Sequence, residues 1–370
     1  MSVALFEPLK LRGLTLSNRI VVSPMCQYSA IEGSATDWHL MHLGNYSLSG
    51  AGLLINEATA VEAAGRISPG CLGLYSDENE AALSRVLKFC REISDIPFGI
   101  QLAHAGRKGS AERPWEGRGP IAEDDERSWK TEAPSAVPMA ENWPKPHALS
   151  QKEMARIQAS FVTSTERAIR LGYDLMELHY AHGYLIHEFL SPIANLRKDE
   201  FGGSLENRMR YPLALLKAVR AIWPRDKPLG VRISATDFAD EGWQIEDSVK
   251  LSNELQTLGC DYVTCSGGGV TFQQQIDLHP GYQLPGAEAV KRETSMPVMA
   301  VGMIRDPKFA NEIIQEDKAD MVALARGMLY EPRWPWRAAY ELGVDIPYPP
   351  QYERSMPGAW PQAYPEMTDK

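Results

Sequence analysis

What this chain has little of narrows its chemistry first. Its 370 residues include five cysteines, Cys26, Cys71, Cys90, Cys260 and Cys265, with no Cys-x-x-Cys pair among them. An odd, scattered set argues against both a disulfide framework and a structural zinc site. No apolar run approaches the ~20 residues of a membrane-spanning helix, and no membrane partner is expected. The N-terminus has no basic region followed by an apolar stretch, so a cytoplasmic location is the expectation. Positive charge is in deficit, with 38 Lys and Arg against 48 Asp and Glu, net −10. Nucleic acid would gain no counterion-release energy from such a surface. Also missing is a Gly-x-Gly-x-x-Gly turn after the first apolar run, the mark of a doubly wound nucleotide-binding sheet.

What is present is an alternation. Short apolar runs at 19–23, 53–58, 98–103, 175–179, 229–234, 262–266, 298–301 and 321–325 are separated by amphipathic stretches. These stretches read as helices at 36–49, 77–93, 150–171, 205–222, 245–258, 285–293, 307–314 and 334–342. Ser150 with Glu153 spells a capping box, and Asp306-Pro307 a cap followed by a first-turn proline. Gly172 and Gly259 stand where helices should end. Eight β–α units without a break predict an α/β chain folded as a (β/α)8 TIM barrel, one domain over 1–370. The surplus length falls in an insertion after strand 3 (109–149) and an extended C-terminal arm (343–370), whose prolines exclude a helix.

In such barrels chemistry gathers at the C-terminal ends of the strands. Strand 4 runs into His179-Tyr180-Ala181-His182-Gly183-Tyr184, two imidazoles and a phenol beside a turn-forming glycine. His-x-x-His could ligate a metal, with His104 as a third ligand, but Lys108 and Arg232 at neighbouring strand ends would repel a cation. An organic oxyanion is the preferred ligand, and no metal is expected. The glycines at 267–269 and 302, with Arg326, suit a phosphate after strands 6 to 8. Parity puts Gln101 beside Gly99, and Arg232 beside Gly230, on inward faces. That pattern suggests a flat polar ligand across the mouth, with a buried Glu177 paired to Arg19 or Arg232. Cys26 reads as a small buried hydrophobe or, from its strand-end place, a functional thiol.

Several stretches resemble the Old Yellow Enzyme family of FMN-dependent ene-reductases, in its thermophilic-like branch with the xenobiotic reductases. They are Asn18-Arg19-Ile20, Ser23-Pro24-Met25-Cys26-Gln27-Tyr28, Ile100 to Lys108 (IQLAHAGRK), His179 to Tyr184, Leu190-Ser191-Pro192, Phe201 to Arg208 (FGGSLENR) and Gln351-Tyr352-Glu353-Arg354. The similarity runs from Leu5 to Arg354. It implies bound FMN, with Ser23, Pro24, Met25, Ala58, Gln101, Ser266 and Gly267 around it. It further implies Arg232 at the pyrimidine edge, and Gly302, Ala325 and Arg326 at the phosphate. Cys26 would tune the flavin from its reactive edge. His179 and His182 would hold a substrate oxygen near Tyr28, and Tyr184 would donate a proton. NADPH or NADH would supply hydride to reduce activated alkenes (α,β-unsaturated carbonyls), nitro compounds or quinones. Arg354 would enter a neighbouring subunit's site, implying a homodimer or homotetramer, with Trp360 as an aromatic wall there. Ala325 stands where relatives commonly carry glycine, which predicts a looser contact to phosphate. The competing expectations are a dienoyl-thioester reductase, a metal-dependent barrel hydrolase using His179 and His182, and a non-catalytic flavin-binding protein.

Overall fold

The computed structural model describes residues 3–364. Eight parallel strands close a barrel: β1 Ile20–Val22, β2 Leu53–Ala60, β3 Phe98–Ala103, β4 Leu175–Tyr180, β5 Leu229–Ser234, β6 Tyr262–Ser266, β7 Val298–Ala300 and β8 Met321–Leu324. Each pairs with its sequence neighbours, and β8 returns to β1 through Val322↔Ile20 and Leu324↔Val22. Eight helices cover the outside: α1 Asp37–Ser47, α2 Asp77–Ile93, α3 Gln151–Arg170, α4 Leu205–Ile222, α5 Ile245–Thr257, α6 Leu284–Glu293, α7 Pro307–Gln315 and α8 Trp334–Leu342. Strands buried on both faces need no alternation, which is why they read as short apolar runs. The sequence capping signals act as expected. Ser150 and Glu153 cap α3 reciprocally, and Asp306 accepts from the Phe309 N–H at 3.1 Å ahead of Pro307. Gly172 and Gly259 adopt φ of 75° and 89°, the left-handed stop that glycine permits.

The bottom of the barrel is sealed by an N-terminal hairpin, Leu9–Leu11 with Leu14–Leu16, which was not anticipated. Leu11 and Leu16 pack on Val21, Leu53, Ile55, Leu175, Tyr262, Met299 and Met321 to form an apolar floor inside the strands. Gly99 and Gly230 serve this floor rather than a ligand, which corrects the sequence-based expectation. A Cβ on Gly230 would lie 2.2 Å from the Tyr262 ring, and one on Gly99 2.8 Å from Leu175. The missing side chains make room for neighbouring core residues.

Two short helices at strand ends, Leu185–Leu190 after β4 and Arg326–Tyr330 after β8, were also unforeseen. The insertion contains a small parallel pair, Glu132–Ala133 with His147–Ala148. It is fastened by guanidinium groups: Arg107 donates to Val137 O at 3.2 Å, and Arg197 to Leu149 O at 2.6 Å. The arm departs from the extended form expected of it. Pro350–Ser355 and Pro361–Ala363 form 3-10 turns, since a proline at the first position of a turn loses no hydrogen bond. The arm runs beside Asn18, Gly50, Pro97 and Trp336, where the strands begin. Arg354 and Trp360 are exposed, Trp360 at 53%.

Candidate active site

Strand register places the site's polar side chains. Gln101 sits beside Glu177, and His179, Arg232 and Thr264 are neighbours across β4, β5 and β6. One layer above the apolar floor, the interior therefore turns polar while staying closed to water. Glu177 is 0% exposed, Gln101 2% and Arg232 7%. Glu177 accepts from Gln101 Nε2 at 2.7 Å and from the Thr264 hydroxyl at 2.5 Å. The expected direct ion pair is not what holds it. Arg19 donates to Asp320 O, and Arg232 donates to the Ser23 hydroxyl at 3.0 Å. Burial pushes the Glu177 carboxyl up, and the nearby Arg232 charge opposes the shift.

Arg232 is left with a buried Nε that has no partner. A buried guanidinium with a spare donor is costly unless something polar faces it. Its place above the floor, beside Gln101 and Ser23, suits a ring bearing nitrogen and oxygen. Toward β6 to β8 the backbone opens: Gly268, Gly269 and Gly302 have φ of 70°, 96° and 114°, and Arg326 is exposed at the rim. Tyr282, unmarked by sequence, stands close enough to both Arg326 and Arg232 for their charges to act on its phenol. Ala325, at φ −102° and ψ −90°, precedes the Arg326–Tyr330 turn. Pro24, Met25 and Cys26 line the other side, half-buried, with Ala58 behind them. The main chain there is held through Glu57, whose carboxylate accepts from the Gln27 N–H at 3.0 Å and faces His39 Nε2 at 3.3 Å.

The His–His–Tyr stretch forms one cluster. The rings of His179 and His182 lie 5.0 Å apart, and Tyr184 is 5.1 Å from His179, all edge-to-face. His179 Nδ1 accepts from the Ala181 N–H at 3.2 Å, which leaves its proton on Nε2. His182 Nε2 meets the Ser266 hydroxyl at 2.6 Å, so Ser266, expected at a cofactor, spends its hydroxyl on the histidine. Burial drives both imidazoles well below their usual range, with Arg232 adding to the shift, so they stand neutral. Burial likewise pushes the Tyr184 phenol well up, keeping its proton in place. Cys26 is raised by burial and by its neighbours Cys71 and Glu57, which leaves a protonated thiol.

Behind the cluster lies support in which the sequence marks Lys108 and Asp237 only as strand-end residues and does not mark His187 at all. Lys108 Nζ donates to His182 O at 2.7 Å and Gly269 O at 2.9 Å, with its ammonium 4.9 Å from the Tyr184 ring. It steadies His182 in a left-handed conformation, φ 62°. The Gly183 N–H donates to His187 Nδ1 at 2.8 Å, which puts the His187 proton on Nε2, 2.9 Å from Asp237 Oδ1. Asp237 in turn accepts from Ser191 and the Trp243 N–H. Such partners orient a site much as outer groups orient metal ligands. The third histidine is elsewhere: His104 Nε2 lies 3.0 Å from Glu62. Glu62, His104 and Glu132 come close enough to hold an ion, but Arg156 already donates to both carboxylates and supplies the positive charge.

Comparison with known sequences decides what this constellation belongs to. The sequence pattern of the NADH:flavin oxidoreductase / NADH oxidase family matches residues 4–344. The chain belongs to that family. The NADPH dehydrogenase of Geobacillus thermodenitrificans (strain NG80-2) is 42% identical over 356 residues, 96% of this chain and 99% of that one. That of Bacillus subtilis (strain 168) is 39% identical with the same coverage. Among solved structures, morphinone reductase superposes with a TM-score of 0.76 at 25% identity, over 93% of this chain and 91% of that one. A morphinone reductase variant solved with tetrahydroNAD gives 0.74 at 25% identity. The Old Yellow Enzyme resemblance and the barrel are thereby borne out, and this family member is an FMN-dependent NAD(P)H oxidoreductase.

Proposed function

We propose that the enzyme reduces the C=C bond of activated alkenes, chiefly α,β-unsaturated carbonyl compounds, with nitro compounds and quinones as further acceptors. The observation that carries this reading is the neutral His179–His182 pair with protonated Tyr184 on the same strand end. FMN, when bound, supplies the hydride that NAD(P)H delivers to the enzyme. Arg232, with its spare buried donor, and Gln101 would hold the ring, and Gly302, Ala325 and Arg326 the phosphate.

The chain's own groups do the rest. Neutral imidazole N–H groups donate to the acceptor's oxygen and stabilise negative charge developing there, a pre-aligned oxyanion site. Their neutrality suits the task, because a charged pair would bind any anion whether or not it was reacting. Tyr184 gives its proton to the carbon beside the activating group, and Tyr28 bounds the same space. Glycine turns and the half-buried Pro24–Cys26 stretch keep water from the ring. The exposed Arg354 reaches the site of a second copy of this chain, which makes the enzyme a homodimer or homotetramer through its arm.

The test separates the two halves of the cycle. Tyr184→Phe should bleach with NADPH at the normal rate and reduce a cyclic enone about 10²–10⁴-fold more slowly, the usual worth of a placed general acid. Unchanged enone reduction would remove Tyr184 from its role.

A further inference from the structure

We propose that the tip of the insertion, residues 113–119, is the docking point for the phosphoadenosine part of NAD(P)H, with Trp115 as stacking face and Arg118 as phosphate donor. This rests on the barrel mouth being the site where the nicotinamide must arrive. The Trp115 ring stands edge-on to Tyr28, with centroids 6.0 Å apart and planes at 84°, so the tip borders the mouth directly. Trp115 is 65% exposed, with a flat apolar surface turned outward. Its base is fixed: the Ala111↔Pro120 bridge closes the loop, and Ser110 and Ile67 hold it by backbone bonds. The charges around it are matched. Arg113 pairs with Glu116, and Arg127 with Glu112 and Asp125.

Arg118 is the exception. Among the described residues it makes no ion pair, although it lies close enough to oppose the upward shift that burial imposes on the Tyr28 phenol. It sits at φ 63°, between Gly117 and Gly119, around which there is open space. A bulky anion can therefore approach its guanidinium without displacing anything. The chemistry of the ligand follows. A chain of net charge −10 repels an anionic dinucleotide at long range, so its phosphates need a local cation. Arginine meets a phosphate with two parallel N–H bonds, and adenine stacks on an indole whatever its orientation in the plane. With the nicotinamide in the mouth, the rest of the dinucleotide must cross the rim, and this tip is an aromatic and cationic crossing point.

The experiment uses the FMN-loaded enzyme without oxygen. Dissociation constants come from the saturation of flavin bleaching by NADPH and by NADH, and separately from calorimetry with 2′,5′-ADP. Arg118→Ala should weaken NADPH and 2′,5′-ADP about tenfold, and Trp115→Ala should weaken NADPH and NADH about equally, since both carry adenine. The limiting bleaching rate should hold in both variants. An equal loss of NADPH and NADH in Arg118→Ala would place the guanidinium on the shared diphosphate, inside the same site. Unchanged affinities in both variants, or an effect confined to reoxidation by the alkene, would overturn the proposal. Wild-type enzyme that NADPH cannot bleach would instead defeat the oxidoreductase site reading, with calorimetry still testing the tip.

Discussion

The floor and the mouth of this barrel are built from the same eight strands, and often from residues only two positions apart. On β6, Tyr262 belongs to the apolar floor, while Thr264 hydrogen-bonds Glu177 and Ser266 holds His182. On β4, Leu175 packs below while Glu177 and His179 face the site. Both layers are buried, so burial alone does not distinguish structure from chemistry. The difference lies in what satisfies each side chain. In the floor nearly every contact is van der Waals, the Tyr262 hydroxyl's long bond to Met176 O at 3.5 Å aside, and filling space is the main requirement. In the mouth some donors find partners within the protein, while Arg232 Nε does not. A polar group left over in a closed site marks where something else must bind.

The strongest way to break the floor is to fill it. Gly230→Ala drives a Cβ to within 2.2 Å of the Tyr262 ring, which is 0% exposed and cannot retreat. Overpacking of this kind costs roughly 1–3 kcal/mol, occasionally more. A lower urea midpoint with an unaltered slope would show it. A midpoint unchanged from wild type would return Gly230 to the ligand-facing role that sequence parity suggested.

That misreading shows where sequence reasoning stops. Period and caps were legible because they are local: the eight runs, Ser150 with Glu153, and Asp306-Pro307 each speak for their own segment. Parity also told correctly that Gln101, Glu177 and Arg232 face inward. It could not tell which neighbour each meets, because that depends on the stagger between strands. Parity alone leaves Glu177 in want of a cation, whereas register gives it Gln101 and Thr264. Contacts such as Trp115 on Tyr28, or Lys108 on Gly269, join segments with no shared pattern, and nothing local announces them. The strand-end stretch from His179 to Tyr184 was legible for the opposite reason: all three side chains come from one short segment.

A subtler test sharpens the comparison at the edge of the mouth. Glu188 is wholly buried on the turn after Tyr184, where Oε1 accepts from the Arg107 N–H at 2.9 Å and Oε2 has no partner. Burial raises its pKa to about 8, against the opposing charges of Arg107 and Lys108. Well below the ordinary carboxylate range, folded and unfolded chains both hold this proton. From there up to about 8 the folded enzyme keeps a proton that the unfolded chain has released, so stability falls as pH rises. Lys108, lowered by burial to about 8, runs the other way only above that pH. Between pH 5 and 8 wild type should therefore lose stability that Glu188→Gln retains, on the order of 1–3 kcal/mol. Parallel melting temperatures for the two proteins across that range would show that Glu188 stays ionised.

The smallest effect is expected from the arm, which belongs to neither layer. Its last described contacts are loose: Tyr364 meets Tyr340 at 5.2 Å and donates to Ser355 O at 3.1 Å, while Trp360 stays half exposed. Ending the chain after Met356, whose side chain is buried, removes little buried surface from its own barrel. Thermal stability of the protomer should move by no more than about 0.5 kcal/mol, as for surface changes generally. If Trp360 walls the site of a second copy, the same truncation should raise the KM for bulky alkenes a few-fold while leaving bleaching by NADPH untouched. A truncated enzyme with the full acceptor profile would confine the arm's contribution to Met356 and the residues before it, Arg354 among them.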